Sequence, residues 1–413
     1  MNRISSRERV RITLNHEEPD RVPIDFGASR VTGIGAIAYN RLVQYLGIEE
    51  KIHLYDIKQQ LAYPSLEVIN RLGGDVVSIG RLGSTTVMPF LALDRWKPGR
   101  LTDGSPCLIP AGCNEENRDD GSIEIRHDGE LYARRTSESL YFDVCWAPLA
   151  NAETTDDIDA FKWPDPWSER EEQYLRRRID ELYHGTDKAL FAALPLLNCS
   201  FLEVSLVLFG FENFMMKLAA ERDLVEYWLE AKLAHDLTIL DKFLAVTGPY
   251  IEAIQMNDDF GAQNSLQISP KVYREIFKPR QRKWIEFVKA RTKAKIFIHS
   301  DGAIGEILPD FIDIGIDIVN PLQTSAAGMD PRSIKNKYGR CLSFWGGGVD
   351  TQTTLPFGSK EDVIREVRER VRLLGPGGGY VFATIHNIQP DIFPEKILAV
   401  YDTVMDCGKY PLG

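Results

Sequence analysis

The sequence predicts an α/β fold, a (β/α)8 barrel. Short, apolar, strand-like segments alternate with helical segments along the 413-residue chain, a pattern typical of parallel strands joined by right-handed crossovers. About eight such strands can be counted, the number that closes a barrel. A doubly wound open sheet is the alternative, but no Gly-x-Gly-x-x-Gly motif follows any strand, which weakens its dinucleotide-binding version.

The predicted strands share continuous apolar runs instead of strict alternation, as expected for strands buried on both faces. In chain order they cover residues 22–26, 75–79, 189–194, 251–256, 295–298, 316–319, 342–345 and 380–384.

The predicted helices begin and end at recognisable residues. Ser5 opens a capping box with the glutamate three residues later, and Ser359 is the N-cap of a helix near the C-terminus. Ser269 and Asp330 are N-caps followed directly by proline at the first helical position. Gly47 is a natural end for a helix over residues 34–46.

Helical periodicity disappears over residues 85–148, where glycine, proline, aspartate and asparagine are frequent. A hairpin is expected over residues 122–133, with its turn at Asp128 and Gly129. We interpret this stretch as a β-rich insertion, closed by the segment 161–166, within a single domain that spans residues 1–413.

The composition excludes several classes of function and partner. A net charge of −11 argues against nucleic acid and anionic membranes as partners. No apolar run is long enough to span a bilayer, and the N-terminus shows no apolar core of a signal peptide. The six cysteines include no Cys-x-x-Cys pair, so we expect neither a zinc module nor a disulfide framework, and a cytoplasmic location.

Polar residues follow five of the predicted strands, and in a barrel these strand ends share one mouth. The candidates are Asp258, Asp259 and Phe260 after the fourth strand, His299 and Asp301 after the fifth, Asn320 and Gln323 after the sixth, Trp345 and Asp350 at the seventh, and His386 after the eighth. An active site is therefore expected at this mouth.

These candidates divide into three roles. His299, Asp301 and His386 offer the nitrogen and oxygen ligands of an open three-ligand zinc site. The predicted catalytic residues are His299, Asp301, Asp258 and Asp259. The predicted substrate-binding residues are Asn320, Gln323, Trp345, Asp350 and Phe260.

Each assignment has a structural alternative. A buried, hydrogen-bonded histidine would explain His299, and helix or turn capping would explain Asp258, Asp259 or Asp350. The aromatic side chains of Trp345 and Phe260 have a structural alternative too, because aromatic residues at strand ends more often belong to the core.

Several motifs together make the chain resemble the uroporphyrinogen decarboxylase superfamily over nearly its whole length. They are residues 18–23 (Glu-Pro-Asp-Arg-Val-Pro), 210–213 (Gly-Phe-Glu-Asn), 258–261 (Asp-Asp-Phe-Gly), 297–302 (Phe-Ile-His-Ser-Asp-Gly), 315–323 (Gly-Ile-Asp-Ile-Val-Asn-Pro-Leu-Gln), 345–350 (Trp-Gly-Gly-Gly-Val-Asp) and 377–380 (Gly-Gly-Gly-Tyr). The resemblance implies a distorted (β/α)8 barrel, in agreement with the strand count.

The superfamily has two functional branches. Its decarboxylases carry an early Arg-Gln-Ala-Gly-Arg segment that grips the tetrapyrrole carboxylates, and residues 25–30 of this chain lack that basic pattern. The other branch contains cobamide-dependent methyltransferases, which move a methyl group between a small molecule and the cobalt of a separate corrinoid protein. Its coenzyme M-methylating members bind zinc through His-x-Cys and a later cysteine.

This chain departs from that zinc pattern. His299 matches the first ligand, Asp301 stands in place of the cysteine of His-x-Cys, and His386 lies near the position of the family's later cysteine. A metal without thiolate ligands is more electrophilic and suits an oxygen leaving group. The resemblance is therefore to the O-demethylase methyltransferases: zinc or a proton from the cluster would stabilise a phenolate while Co(I) takes the methyl of a methoxylated, aromatic donor.

The resemblance also implies partners. The chain lacks the Asp-x-His-x-x-Gly motif of cobalamin binding, so a partner protein would carry the corrinoid. Decarboxylases of this superfamily are often dimers, which makes a homodimer an expectation here. Two alternatives stay open: a uroporphyrinogen decarboxylase-like lyase acting on a tetrapyrrole or other small carboxylate, and a non-enzymatic corrinoid-binding or chaperone protein.

Overall fold

A seven-stranded parallel sheet, curled into most of a barrel, forms the centre of the molecule. The structure is a computed structural model, which describes residues 4–83, 88, 90–163, 167–193 and 200–412. Along the sheet the strands run β3, β10, β11, β12, β13, β14 and β15, and every neighbouring pair is parallel. The strands are β1 (Leu54–Asp56), β2 (Leu61–Ala62), β3 (Val76–Ile79), β4 (Trp96–Arg100), β5 (Pro106–Pro110), β6 (Glu115–Asn117), β7 (Ile123–His127), β8 (Glu130–Arg135), β9 (Asp143–Val144), β10 (Ala189–Ala192), β11 (Ile251–Asn257), β12 (Lys295–His299), β13 (Ile318–Asn320), β14 (Ser343–Trp345) and β15 (Tyr380–Val381).

Helices cover the outside of this sheet, and the predicted N-caps are present, although the capping box predicted at Ser5 is reduced to its N-cap bond. Side-chain oxygens of Ser5, Ser269, Asp330 and Ser359 each accept a backbone N–H in the first turn of the helix that follows. The helices are α1 (Ser6–Leu14), α2 (Ala36–Leu46), α3 (Leu66–Arg71), α4 (Thr155–Asp159), α5 (Glu169–Ile179), α6 (Leu202–Phe209), α7 (Phe211–Ala220), α8 (Arg222–Thr247), α9 (Pro270–Val272), α10 (Lys278–Lys289), α11 (Leu308–Ile314), α12 (Pro331–Tyr338), α13 (Thr354–Phe357), α14 (Lys360–Leu374) and α15 (Pro394–Cys407), with π-helical turns at Asp180–His184 and Tyr273–Phe277.

The segment 23–25 closes the barrel between its two edge strands. On one side the Phe382 N–H donates to the Pro23 carbonyl and the Asp25 N–H donates to the Phe382 carbonyl, both at 2.8 Å. On the other side the Asp75 N–H donates to the Ile24 carbonyl at 2.7 Å. The strand predicted over residues 22–26 is therefore reduced to a bridge at Ile24, because proline has no N–H to offer a ladder. The barrel is confirmed, in distorted form.

Inward-facing side chains fill the barrel interior. Phe191, Phe297 and Trp345 form an aromatic group with ring centroids 4.8–5.6 Å apart. Val10 and Leu14 of α1 belong to the same buried cluster, so the first helix packs against the interior residues of the barrel. Filling by bulky side chains makes the barrel a packed core and confines ligands to its mouth.

The stretch between β3 and α4 is rich in antiparallel strands, as predicted. β4 pairs with β5, and β6 to β9 form a four-stranded sheet. The hairpin of β7 and β8 turns at Asp128 and Gly129, which both have positive φ. The predicted start of the insertion near residue 85, the end of the third strand at residue 194 and the segment 164–166 lie outside the described residues. That the whole chain forms one domain with this insertion stays a prediction.

Across the described ranges, none of the helices combines the length and the apolar composition that a bilayer crossing requires.

A buried carboxylate, Asp75, stands beside the closing segment. Its oxygens accept from Arg9 Nη1 and Arg21 Nη1, each at 2.7 Å, and from the Ile24 N–H at 2.9 Å. The Asp75 side chain is fully buried and both guanidinium groups are largely buried. One acid thus holds two arginines, from the segment before the barrel, next to the edge strand β3.

Replacing Asp75 by asparagine should lower the free energy of unfolding by about 3–5 kcal/mol, because the largely buried Arg21 loses its counter-charge and Arg9 keeps only Asp20. Asp402→Asn is the matched control: its ion pair with Arg71 is long, at 3.6 Å, and solvent-exposed on both sides, so the loss should stay below about 1 kcal/mol. Guanidinium denaturation of both variants measures the difference. Equal midpoints for the two variants would show that Asp75 does not hold the barrel closed.

Candidate active site

A cavity of about 170 Å³ lies at the carboxyl ends of the central strands. Its wall combines strand-end residues of the barrel with the turn between β1 and β2, and it includes both acidic and basic side chains. Asp259, His299, Asp301 and His386, four of the predicted site residues, lie together in this wall.

His299 is the last residue of β12, and its ring is fixed by a neighbouring strand. The Nδ1 atom lies 2.7 Å from Asn320 Oδ1, while Asn320 Nδ2 donates to the Trp345 carbonyl at 2.7 Å. Since the amide nitrogen is engaged as a donor, the amide oxygen faces the ring and Nδ1 carries the proton. The Nε2 atom therefore points into the site, and Asn320 is a positioning residue instead of the predicted substrate-binding residue.

The other polar groups gather around this Nε2 atom. It lies 3.6 Å from Asp301 Oδ2 and 3.8 Å from Asp259 Oδ1, and His386 Nε2 lies 3.9 Å from Asp301 Oδ2. Ligand atoms of His299, Asp301 and His386 all lie within 4.8 Å of one another. Two imidazoles and one carboxylate at this spacing fit a single zinc ion with an open fourth position.

Close backbone packing brings the two acidic loops together. The Asp301 N–H donates to Asp259 Oδ1 at 3.0 Å. A Cβ at Gly261 would lie 2.3 Å from the Asp301 carbonyl, and one at Gly302, where φ is +86°, would lie 2.6 Å from the Ala262 carbonyl. Only glycine permits this approach.

Burial and opposite charges compete in the cluster. Burial disfavours the charged form of His299, but the Asp301 and Asp259 carboxylates and the Asn320 hydrogen bond together outweigh it and raise the histidine pKa to about 9. Burial would raise the pKa of Asp301, yet the His299 charge lowers it overall. Burial raises the pKa of Asp259 and lowers that of His386. Without a metal, His299 and Asp301 thus form an ion pair, and an incoming cation must displace the histidine proton.

Glu203 is a site residue that the sequence analysis missed. It lines the same cavity from the first turn of α6, and its Oε2 accepts from Asn257 Nδ2. Burial and the neighbouring Asp259 raise its pKa to about 7. The available signal was a single acid inside the apolar stretch 201–209.

Asp258, predicted to be catalytic, has a structural role. It is fully buried and accepts the N–H groups of Phe201, Leu202 and Glu203 together with the Ser200 hydroxyl. These are the free donors at the start of α6, which favour a carboxylate. Asp258 therefore holds α6, and with it Glu203, and does not line the cavity.

Two predicted substrate-binding aromatics are core residues. Phe260 is fully buried, with its ring edge-to-face on Tyr273 at 4.9 Å. Trp345 packs in the barrel interior and donates its Nε1–H to Asp25 Oδ2 at 2.8 Å. Neither ring lines the cavity, because both point into packed layers.

A second, more open cavity of about 400 Å³ adjoins the first. Gln323 and Asp350 line it: Gln323 Oε1 accepts the Gly302 N–H at 2.7 Å, and Asp350 Oδ1 caps a turn by accepting from the Gln352 and Thr353 N–H groups. Asp301 and His386 line both cavities, so the cluster lies between them.

The chain is similar in sequence to one protein family and in fold to a solved structure. Residues 151–407 match the family model described as Uroporphyrinogen decarboxylase (URO-D). The solved structure of a methyltransferase from Methanosarcina mazei superposes with a TM-score of 0.60 at 18% identity, covering 98% of this chain and 99% of that one. At this identity the likeness shows a shared fold. None of the curated proteins matches the chain.

Zinc content should depend on His299 and on its support by Asn320. We expect stoichiometric zinc in the dialysed wild-type protein, none in His299→Ala, and an affinity lowered by about 10–100-fold in Asn320→Ala, because the ring orientation is lost. Metal analysis and chelator competition measure this.

His127→Ala is the control, since this half-buried histidine of β7 stacks on Phe90 outside the cluster. Full zinc retention in His299→Ala would contradict a metal site at these residues.

Proposed function

This chain belongs to the uroporphyrinogen decarboxylase family, and we propose that it is a corrinoid-dependent methyltransferase within that family. The methyl group comes from a small methoxylated aromatic compound and passes to the Co(I) of a separate corrinoid protein. One observation carries the proposal: a cluster of two histidines and one carboxylate, without thiolate, lies between a small enclosed cavity and a larger open one.

The size of the enclosed cavity favours a donor with one aromatic ring. Its volume of about 170 Å³ is similar to that of a cavity of roughly 150 Å³ that binds benzene. A tetrapyrrole has four such rings, so the volume favours a one-ring donor over the substrate of the uroporphyrinogen decarboxylase alternative. A lyase acting on a small carboxylate is still compatible with the volume.

The ligand chemistry favours an ether over a thiol. His299, Asp301 and His386 would hold the zinc, which when bound would supply Lewis-acid polarisation of the ether oxygen. Asn320 keeps the His299 ring in its ligating orientation. The packed barrel interior below the site excludes water from one side of the donor.

Glu203 supplies a proton. Its pKa of about 7 means that a large fraction is protonated near neutral pH, and it lines the cavity that holds the donor. When the methyl carbon leaves, the ether oxygen keeps the bonding electron pair and becomes a phenolate. Transfer of the Glu203 proton to that oxygen neutralises the leaving group, while the corrinoid acceptor contributes the electron pair of the new bond.

The two cavities give donor and acceptor separate approaches. A donor in the enclosed cavity presents its ether oxygen to Asp301 and His386, which also line the open cavity. The acceptor approaches from the open side, so that both reactants meet at one cluster.

Anaerobic incubation of the zinc-loaded protein with cob(I)alamin and a panel of methoxybenzoates and methoxyphenols should yield methylcobalamin and an equal amount of the demethylated phenol. Absorbance follows the cobalamin and chromatography the phenol. His299→Ala should abolish the reaction, whereas the control His127→Ala should retain it. Release of CO2 without methylcobalamin would favour the lyase, and no methyl transfer across the panel would refute the proposal.

The rate of methyl transfer by the zinc-loaded protein should fall as the pH rises through the pKa of Glu203, because the protonated form of Glu203 is the competent one and is lost there. Glu203→Gln should lower the rate at pH 6 by roughly 100-fold and remove the inflection. Glu212→Gln, an exposed glutamate of α7, is the control and should leave the profile unchanged. An unaltered inflection in Glu203→Gln would exclude this role.

A further inference from the structure

Four cationic side chains line the enclosed cavity: Arg30, Lys58, Arg81 and Arg178. The three arginines have acidic partners. Arg30 Nε lies 2.6 Å from Asp56, Arg178 Nη1 lies 2.6 Å from Glu181, and Arg81 pairs with Glu171. Within the described ranges, Lys58 has neither an ion pair nor a side-chain hydrogen bond. Lys58, which is half-buried, is therefore the cation of this wall that forms no ion pair there.

The backbone that carries Lys58 is held from three directions. The Lys58 carbonyl accepts the Phe142 N–H at 2.9 Å, and the Gln59 N–H donates to Asp56 Oδ1 at 2.9 Å. Asn387, next to His386, donates to Gln59 Oε1 at 3.2 Å. The turn between β1 and β2 is thus braced against the insertion and against the loop of the histidine cluster. A ligand gains affinity from such a wall because little of it must be ordered on binding.

The charge of Lys58 is felt inside the cavity. Burial raises the pKa of Glu203, and the Lys58 charge offsets part of that rise. The two side chains nevertheless form no ion pair, so Lys58 does not serve as the counter-ion of this acid. The remaining acids of the wall, Asp259 and Asp301, lie at His299.

We propose that Lys58 binds a carboxylate group of the methyl donor, so that the donor is a methoxylated aromatic carboxylate. This inference rests on the proposed function for the identity of the donor. A charge-assisted hydrogen bond from the ammonium to the carboxylate compensates a cation that is otherwise unpaired in the wall. The same charge disfavours the cationic methylamines as donors.

Binding measurements without any corrinoid test the inference. The zinc-loaded protein is titrated calorimetrically with 2-, 3- and 4-methoxybenzoate and with the three matching methoxybenzamides, which are neutral and of similar shape. At least one benzoate should bind tenfold or more tightly than its amide. Lys58→Met should remove that preference and leave amide binding unchanged, while Lys58→Arg should restore most of it.

Lys51→Met is the matched control. This exposed lysine precedes β1, the strand that Lys58 follows, and its substitution should change neither the benzoate affinity nor the benzamide affinity. Unfolding midpoints of the variants confirm that they fold. Equal affinity for benzoate and amide in the wild type, an unchanged preference in Lys58→Met, tighter binding of trimethylammonium, or no binding of any benzoate would each overturn the inference.

The two proposals fail separately. Benzoate preference without methyl transfer to cob(I)alamin would refute the proposed reaction and leave the carboxylate subsite standing. Methyl transfer without any preference of the protein for benzoate over benzamide would refute the carboxylate subsite and leave the proposed reaction standing.

Discussion

The geometry of the site depends on how the barrel is closed, and one buried carboxylate holds that closure. Asp75 gathers Arg9, Arg21 and the Ile24 N–H beside the segment that joins the edge strands. From this segment a series of hydrogen bonds runs to the cluster: Trp345 donates to Asp25, Asn320 donates to the Trp345 carbonyl, and the His299 ring donates to Asn320. The orientation of the His299 ring is thus tied to the least regular strand of the barrel, because each partner is buried and cannot exchange its bond for water.

Two adjacent aspartates at the end of β11, Asp258 and Asp259, face different parts of the molecule. Asp258 faces the start of α6 and satisfies its free N–H groups, whereas Asp259 faces His299 across the mouth. Helix capping by Asp258 places Glu203 in the cavity, where burial gives it a pKa near neutrality. A structural acid therefore sets the position of Glu203, which we propose as the proton donor.

The charges of the enclosed cavity are arranged by function. Asp259 and Asp301 lie at the histidine cluster, where a bound metal ion would compensate their charge, while the arginines of the wall are paired with acids of their own. Lys58 is the exception, and the turn that carries it is braced by the insertion through Phe142. The β-rich stretch thus contributes to the wall that we assign to donor recognition, whereas the barrel strands contribute the groups that we assign to chemistry. This division resembles the general rule that rigid strands position catalytic groups and connecting segments set specificity.

Local pattern was enough to determine seven of the eight predicted barrel strands, the N-caps, the Asp128–Gly129 hairpin and the arrival of His299, Asp301 and His386 at one mouth. Each of these features depends on short-range sequence or on the rule that parallel strands end at one face. The direction of each side chain at that mouth was decided by the tertiary structure. The side chains of Phe260 and Trp345 lie in packed layers, and Asp258 contacts a helix that begins over fifty residues earlier. Glu203 and Lys58 line the cavity from segments that are distant in the sequence. No local pattern encodes these orientations, since they follow from which buried polar groups and apolar surfaces must be satisfied once the barrel has closed.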